Sequence, residues 1–87
     1  MDYWNYRIGG RNTPRGLVYH LYEVFYAEKG GKITGISENP VTPGALDYME
    51  LQDELELVAV AREAAIVDYD SCVTMGLVRP NHLSNLF

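Results

Sequence analysis

The stretch Leu17–Glu28 constrains the fold of this chain more than any other part of it. It is rich in aromatic and β-branched residues, contains neither Gly nor Pro, and is flanked on both sides by turn-forming residues. That composition is typical of a central strand rather than an edge strand. We therefore expect a sheet built around it.

The residues before this stretch predict a first hairpin. Tyr3–Ile8 alternates apolar and polar side chains, which indicates a strand with one buried face. Residues 9–16 are dense in Gly, Pro and Asn, and they predict a loop. Pairing Ile8 with Leu17 across this loop would place Tyr6 opposite Tyr19 and Trp4 opposite Leu21.

A second hairpin is predicted at Gly30-Gly31, leading into a third strand over Lys32–Glu38. Pairing Lys29 with Lys32 would place Phe25 opposite Ile36. With both registers, one face of the sheet is the predicted core: Trp4, Tyr6, Ile8, Leu17, Tyr19, Leu21, Phe25 and Ile36. The predicted outer, partly covered face consists of Tyr3, Asn5, Arg7, His20, Tyr22, Val24 and Tyr26. A slip of one residue would exchange the two faces.

A helix is predicted to begin at Asp47 as N-cap, with Glu50 at the capping-box position and Leu46 and Leu51 as a hydrophobic staple. It would end near Ala64. A helical wheel places its inward side chains at Tyr48, Leu51, Leu55, Val58 and Ala61, with Leu57 at the margin. Met49 and Val60 fall on the exposed side. Ala65–Tyr69 is compatible with a fourth strand.

These elements predict an α+β fold in the order β-β-β-α-β, with one helix packed over a three-stranded antiparallel meander. Residues 1–70 form the predicted domain, and residues 71–87 form a tail interrupted by Gly76 and Pro80. Three arrangements of this tail stay open at this point. It docks on the domain, exchanges with a partner molecule or stays loose.

The charge balance favours a protein partner over a nucleic acid. Seven basic and twelve acidic residues give a net charge of −5, which repels a phosphate backbone. An acidic surface suits either solubility or a basic partner. No apolar run approaches the ~20 residues of a membrane span, and the N-terminus lacks the layout of a signal peptide. With a single cysteine as well, we expect a cytoplasmic protein with no membrane association.

The sequence predicts no catalytic, cofactor-binding or metal-binding residue. Cys72 lacks a recognisable activating histidine, because His20 and His82 lie in different segments. His20 and Glu23 lie three positions apart on a strand and point to opposite faces. The spacings typical of zinc and calcium sites are missing, and neither glycine pair matches a phosphate-binding loop.

Five runs of residues occur in the same order in a known group of proteins. They are Trp4-Asn5-Tyr6-Arg7-Ile8, Glu23-Val24-Phe25-Tyr26, Gly31-Lys32-Ile33, Ser37-Glu38-Asn39-Pro40-Val41 and Glu54-Leu55-Glu56-Leu57. The chain thereby resembles a family of small uncharacterised bacterial and phage proteins that read roughly WNYR, HEVYY, GK, ENPV and DLELM. The resemblance covers Trp4 to Asp68. The resemblance implies a shared fold and no particular activity. The chain departs from the family pattern at two positions. Tyr22 stands where a histidine is common, and Arg62 stands where an apolar residue is usual.

The predicted element order is also similar to that of HicB-type antitoxins, whose partial ribonuclease-H-like domain is β-β-β-α-β. No residue motif accompanies this similarity. It is a likeness of fold, which does not fix function.

Two groups of residues are candidates for binding a partner: Tyr3, Tyr22 and Tyr26 on the outer sheet face, and Asp53, Glu54 and Glu56 on the helix. The leading hypothesis is a non-enzymatic inhibitor or regulator of a larger, basic, nucleic-acid-handling protein, of an anti-CRISPR-like or antitoxin-like kind. A sheet-face binder of single-stranded RNA is the alternative, and a homodimer is a third. If the tail covers the sheet face, the three tyrosines are not available to a partner or to RNA. If the acidic residues of the helix are merely solvated, they do not form a binding site.

Overall fold

One five-stranded sheet organises residues 3–42 and 47–81, the parts of the chain that the computed structural model describes. Its strands are β1 (Tyr3–Thr13), β2 (Gly16–Tyr26), β3 (Ile33–Ser37), β4 (Val67–Asp68) and β5 (Val78–Arg79). Two helices are present in the same residues, α1 (Tyr48–Glu63) and α2 (Tyr69–Thr74). The strand order β4-β1-β2-β3-β5 confirms the α+β class, the antiparallel β1-β2-β3 meander and the central position of β2.

The first hairpin is longer than predicted. β1 continues through the expected loop as far as Thr13, which pairs with Gly16 around a two-residue turn. Ile8 therefore pairs with Leu21 instead of Leu17, a shift of four positions along β2. Because four is an even number, the shift leaves each side chain on its predicted face of the hairpin.

The second hairpin is out of its predicted register. Ile36 pairs with Val24 instead of Phe25, and an irregularity between Phe25 and Tyr26 brings Tyr26 opposite Ile33. The odd-numbered slip moves Ile36 to the opposite face of the sheet, beside Tyr22 and Val24. The side chain of Ile36 therefore lies on the face that was predicted to be outer, and not in the predicted core.

That second face holds the main buried cluster of the described residues, which corrects the prediction that it is only partly covered. Its buried members are Tyr22, Val24, Tyr26, Ile36, Val67, Tyr69 and Cys72. The rings of Tyr22 and Tyr69 lie 4.9 Å apart. Residues 69–79, which include part of the predicted tail, thus dock on the sheet through α2 and β5, whereas residues 82–87 of that tail lie outside the described residues.

β5 fixes the far edge of the sheet. The backbone N–H groups of Ile36 and Glu38 donate to the carbonyl oxygens of Leu77 and Arg79 at 3.0 and 2.8 Å. The guanidinium of Arg79 lies 3.8 Å from the centre of the Phe25 ring, on the face opposite the α2 cluster. A cation over an aromatic ring is favourable, and more so when water is excluded.

Helix α1 covers the other face of the sheet and has the predicted bounds. Asp47 is its N-cap and accepts a hydrogen bond from the Glu50 N–H at 2.9 Å, as expected. The proposed staple partner Leu46 lies outside the described residues. The side chains at least partly buried against the sheet share a spacing of three or four positions: Leu51, Glu54, Val58 and Ala61. Tyr48 and Leu55 were predicted to point inward and are exposed instead.

Candidate protein-binding surface

The predicted tyrosine surface on the sheet is not available to a partner. Tyr22 is fully buried, with its ring 4.9 Å from that of Tyr69 on α2, and Tyr26 is nearly fully buried in the same cluster. Tyr3 is at the surface, with its ring 5.9 Å from that of Tyr26. A nucleobase would have to displace α2 to stack on Tyr22. The sheet-face RNA-binding hypothesis therefore loses two of its three predicted tyrosines, Tyr22 and Tyr26, as stacking surfaces.

Glu54 also has a structural role that the sequence did not suggest. It faces the sheet, and its carboxylate accepts a hydrogen bond from the phenol of Tyr6, a nearly fully buried residue. Burial and then this carboxylate raise the pKa of the Tyr6 phenol. The proton therefore stays on Tyr6 at neutral pH, where it can be donated to Glu54. Glu54 holds α1 on the sheet rather than presenting its charge outward.

The other two acidic candidates, Asp53 and Glu56, are exposed on α1. They belong to a concentration of charge, since residues 47–63 contain six of the twelve acidic residues and one of the seven basic ones. The remainder of the chain holds six of each and is neutral. The entire net charge of −5 therefore comes from α1 and its N-cap.

Large apolar side chains stand among these acids. Tyr48 and Met49 are 72% and 77% exposed, and Leu55 and Val60 are more than half exposed. Single exposed apolar residues are ordinary, but several on one helix make that helix a candidate for an interaction surface. We call the following exposed side chains the α1 surface: Tyr48, Met49, Asp53, Leu55, Glu56 and Val60.

An apolar groove lies between α1 and the sheet. It is open to solvent, has a volume of about 400 Å³, and is lined by Ile8, Tyr19, His20, Leu21, Val41, Thr42 and Val58. The side chains of Leu17 and Tyr19, which were predicted to be buried, are instead 52% and 53% exposed next to it. Their β2 segment extends past the end of β3, so less of the molecule covers it than the sequence suggested.

The sequence carried a signal for part of this surface. It places Met49 and Val60 on the polar side of the helix, and both are exposed as predicted. The exposure of Tyr48 and Leu55 was not predicted, because the apolar residues of α1 are spread widely around the helical wheel. The sheet covers a narrow strip centred on Val58, and the side chains on either side of that strip are left in solvent.

Neither a metal-binding group nor a reactive thiol is evident among the described residues. They contain no group of three or more His, Cys, Asp or Glu side chains placed to hold a metal ion. Cys72 is buried, and burial followed by the charge of Asp68 raises the pKa of its thiol, which opposes formation of the reactive thiolate. None of the described helices has the length and apolar character needed to cross a membrane.

Comparisons with known proteins do not assign the chain to a family. No family model, curated protein or solved structure gave a significant match to it. The resemblance to small bacterial and phage proteins and the similarity to HicB-type antitoxins stay predictions from the sequence. The α1 surface and the neighbouring groove are therefore the basis on which a function is proposed.

Proposed function

We propose that this chain is a non-enzymatic, acidic protein-binding module whose α1 surface binds a larger basic protein in the cytoplasm. The observation that supports it is the coincidence, on one helix, of the whole net charge of −5 and of large exposed apolar side chains. A helix that was only solvated would not need Tyr48 and Met49 in water.

The two components of the α1 surface have different tasks in recognition. Asp53 and Glu56 attract a basic partner over a distance and select it by charge. Tyr48, Met49 and Leu55 then supply the apolar area that keeps the complex together, since a few large side chains usually dominate binding.

The class of partner follows from the charge. Proteins that handle nucleic acid carry clustered Lys and Arg where they hold phosphates, and an acidic helix is complementary to such a surface. Occupying it would block the nucleic acid. We therefore propose an inhibitor or regulator of a nucleic-acid-handling protein, acting as anti-CRISPR-like or antitoxin-like proteins do.

A charge-reversal experiment tests this function. The immobilised chain captures its partner from an extract of the native host, and the purified partner is then titrated calorimetrically. We expect Asp53→Lys combined with Glu56→Lys to weaken binding at least about tenfold, because two attractive contacts become repulsive. The matched control combines Glu28→Lys with Glu38→Lys, which changes the net charge equally at exposed positions outside α1. It should stay within about twofold of the original affinity.

Two results would contradict the proposal. One is equal loss of affinity in both double variants, which would mean that net charge matters and α1 does not. The other is the absence of any captured partner from a host extract that contains nucleic-acid-handling proteins at normal levels.

A further inference from the structure

The exposed apolar side chains of α1 stand on two flanks of the helix. Successive residues of an α-helix point about 100° apart in projection, because one turn contains 3.6 residues. Tyr48 and Leu55 therefore point in nearly the same direction, and we call them the first flank. Met49 and Val60 form the second flank, about 120° from the first. All four side chains are more than half exposed.

An acidic strip fills the arc between the two flanks. Glu56 and Glu63 lie in this arc together with Gln52, and all three side chains are exposed. Asp53 borders the second flank on its far side and is exposed as well. The opposite side of the helix packs on the sheet. The exposed arc of α1 is therefore acidic along its middle and apolar on both sides of it.

This arrangement requires a concave partner if both flanks are to be buried. A flat surface laid against the first flank leaves the second flank in water. A flat surface laid on the acidic strip meets the charges and leaves both flanks at its margin. A cleft contacts the flanks with its walls and the strip with its floor, as in complexes where an amphipathic helix lies in a groove. Such a cleft is as wide as a helix with its side chains, about 10–12 Å.

The chemistry of this cleft is that of a site for single-stranded nucleic acid. Proteins that hold a single strand combine a positively charged groove along the backbone with aromatic side chains that stack on the bases. The acidic strip is complementary to the cations of such a groove, and the flanks are complementary to its aromatic side chains. A surface that binds duplex lacks the second component, because such surfaces are mainly polar and basic.

We propose that α1 occupies the single-strand cleft of its basic partner and competes there directly with the nucleic acid. This inference rests on the proposed function of α1 and adds which site of the partner is bound. Charge selects this occupant, since residues 47–63 carry the whole net charge of −5. A second copy of this chain has the same charge and is repelled. An apolar cleft without cations would bury Glu56 and Glu63 unpaired, which is costly.

Displacement of a labelled oligonucleotide tests the competition. The partner is the protein captured from the host extract and purified. The probes are fluorescent thymidylate and uridylate oligomers of about 16 nucleotides, the upper site size of a single-strand groove. We expect the chain to release whichever oligomer is bound, at a half-maximal concentration that rises with the amount of oligomer. Asp53→Lys combined with Glu56→Lys should raise that concentration at least about tenfold.

Alanine substitutions on the two flanks test the shape of the cleft. Leu55→Ala and Val60→Ala should each weaken binding at least about fivefold, because both side chains are buried against walls of the cleft. Alanine is the best helix former, so α1 is retained in both variants. The matched control, Val73→Ala, changes a side chain of α2 that is 52% exposed and should stay within about twofold of the original affinity.

The inference fails on its own, with the proposed function intact, if the chain and an oligomer bind the partner simultaneously. It also fails if the partner binds duplex and neither oligomer, or if only one of the two flank variants loses affinity. The proposed function fails first, and this inference with it, if no captured partner binds nucleic acid or if the charge-reversed variant binds as tightly as the original chain.

Discussion

At the scale of single residues, two adjacent glycines on β1 are glycine for different reasons. A Cβ on Gly9 would lie 2.6 Å from Cδ2 of Tyr22, a fully buried ring that has no room to move. A Cβ on Gly10 would lie 3.4 Å from Cε1 of Tyr19, at the edge of normal contact and against a half-exposed ring. Only Gly9 is required by packing.

We expect Gly9→Ala to lower the free energy of unfolding by about 1–3 kcal/mol, the usual cost of overpacking a rigid core. Gly10→Ala should be close to neutral, or stabilising by up to about 1 kcal/mol, because alanine loses less backbone entropy than glycine. Urea denaturation of both variants measures the difference. Equal effects of the two substitutions would show that the Tyr22 ring does not set the requirement.

The same glycines show where prediction from sequence fails at this scale. Gly-Gly followed by Asn and Pro has the composition of a loop, and local propensity says nothing about a ring from the neighbouring strand. β1 continues because Gly9 leaves space for Tyr22. That contact depends on the tertiary structure, and a one-dimensional pattern does not contain it.

At the scale of elements, α1 is fixed to β1 by the hydrogen bond between Tyr6 and Glu54. We expect Tyr6→Phe to destabilise the fold by about 1–2 kcal/mol, since it leaves a partly buried carboxylate without this donor. Tyr48→Phe is the matched control, because the Tyr48 hydroxyl only accepts a 3.2 Å bond from Gln52 at the surface. A double-mutant cycle with Glu54→Gln, measured by thermal unfolding, isolates the coupling. A coupling near zero would contradict the assigned contact.

Helix α2 begins at an acid-sensitive N-cap. The carboxylate of Asp68 accepts hydrogen bonds from the Ser71 hydroxyl at 2.8 Å and from the Asp70 N–H at 3.1 Å. The hydroxyl and N–H of Ser71, and then the N–H of Asp70, lower the pKa of Asp68, so the folded state favours the ionised form. Its contribution to stability is therefore present above the unfolded pKa of about 3.9 and is lost as the pH falls through the lower folded pKa.

We expect Asp68→Asn to retain most of the stability at pH 7, because asparagine also caps helices, and to lose part of the dependence on acid pH. Asp68→Ala should lower the melting temperature at pH 7 as well. Thermal unfolding followed by circular dichroism between about pH 3 and pH 7, which spans the titration of a carboxyl group, checks both expectations. Identical pH profiles for the original chain and Asp68→Asn would contradict the role of the carboxylate.

The elements were predictable from the sequence to different degrees. The capping residues of α1 and the alternation in Tyr3–Ile8 are local signals, and both gave correct elements. The register of β3 is not local, because the irregularity beside Tyr26 depends on how β3 packs against its neighbours. The changed register moved Ile36 to the other face, where it joins Tyr22 and Val24 in the main buried cluster with Tyr69 and Cys72 of α2.

At the scale of the whole molecule, the core near α2 depends on the last elements of the described chain. Removing residues 69–87 would uncover Tyr22, Val24, Tyr26 and Ile36, each worth about 1.5–3 kcal/mol when buried. Together these approach the total stability of a typical domain, about 5–15 kcal/mol. We expect the chain that ends at Asp68 to lose cooperative unfolding and to bind a hydrophobic dye. A sharp urea transition with an unchanged slope would contradict this expectation.

The candidate site was predictable in its charge and not in its shape. The acidic character of α1 can be read directly from the number of Asp and Glu residues in it. Asp53 and Glu56 are exposed, as binding to a partner would require. Whether Tyr22 faces a partner or the interior depends on what packs above it, and the sequence left open whether the later residues do so. The contact of Glu54 with the sheet was missed for a similar reason, since its donor, Tyr6, lies 48 positions away on β1.

The two outer strands give the fold a definite order of completion. Each runs parallel to a strand formed much earlier, and nearby contacts join Asn12 to Asp70 across 58 positions and Asn39 to Asn81 across 42 positions. Loops of this length raise the contact order, which slows folding. During translation the hairpins can form early, but the sheet has both of its edge strands only after residue 79 has left the ribosome. Until then the nascent chain displays Tyr22 and Val24 to the cell, and this interval is when it is most exposed to chaperones and to aggregation.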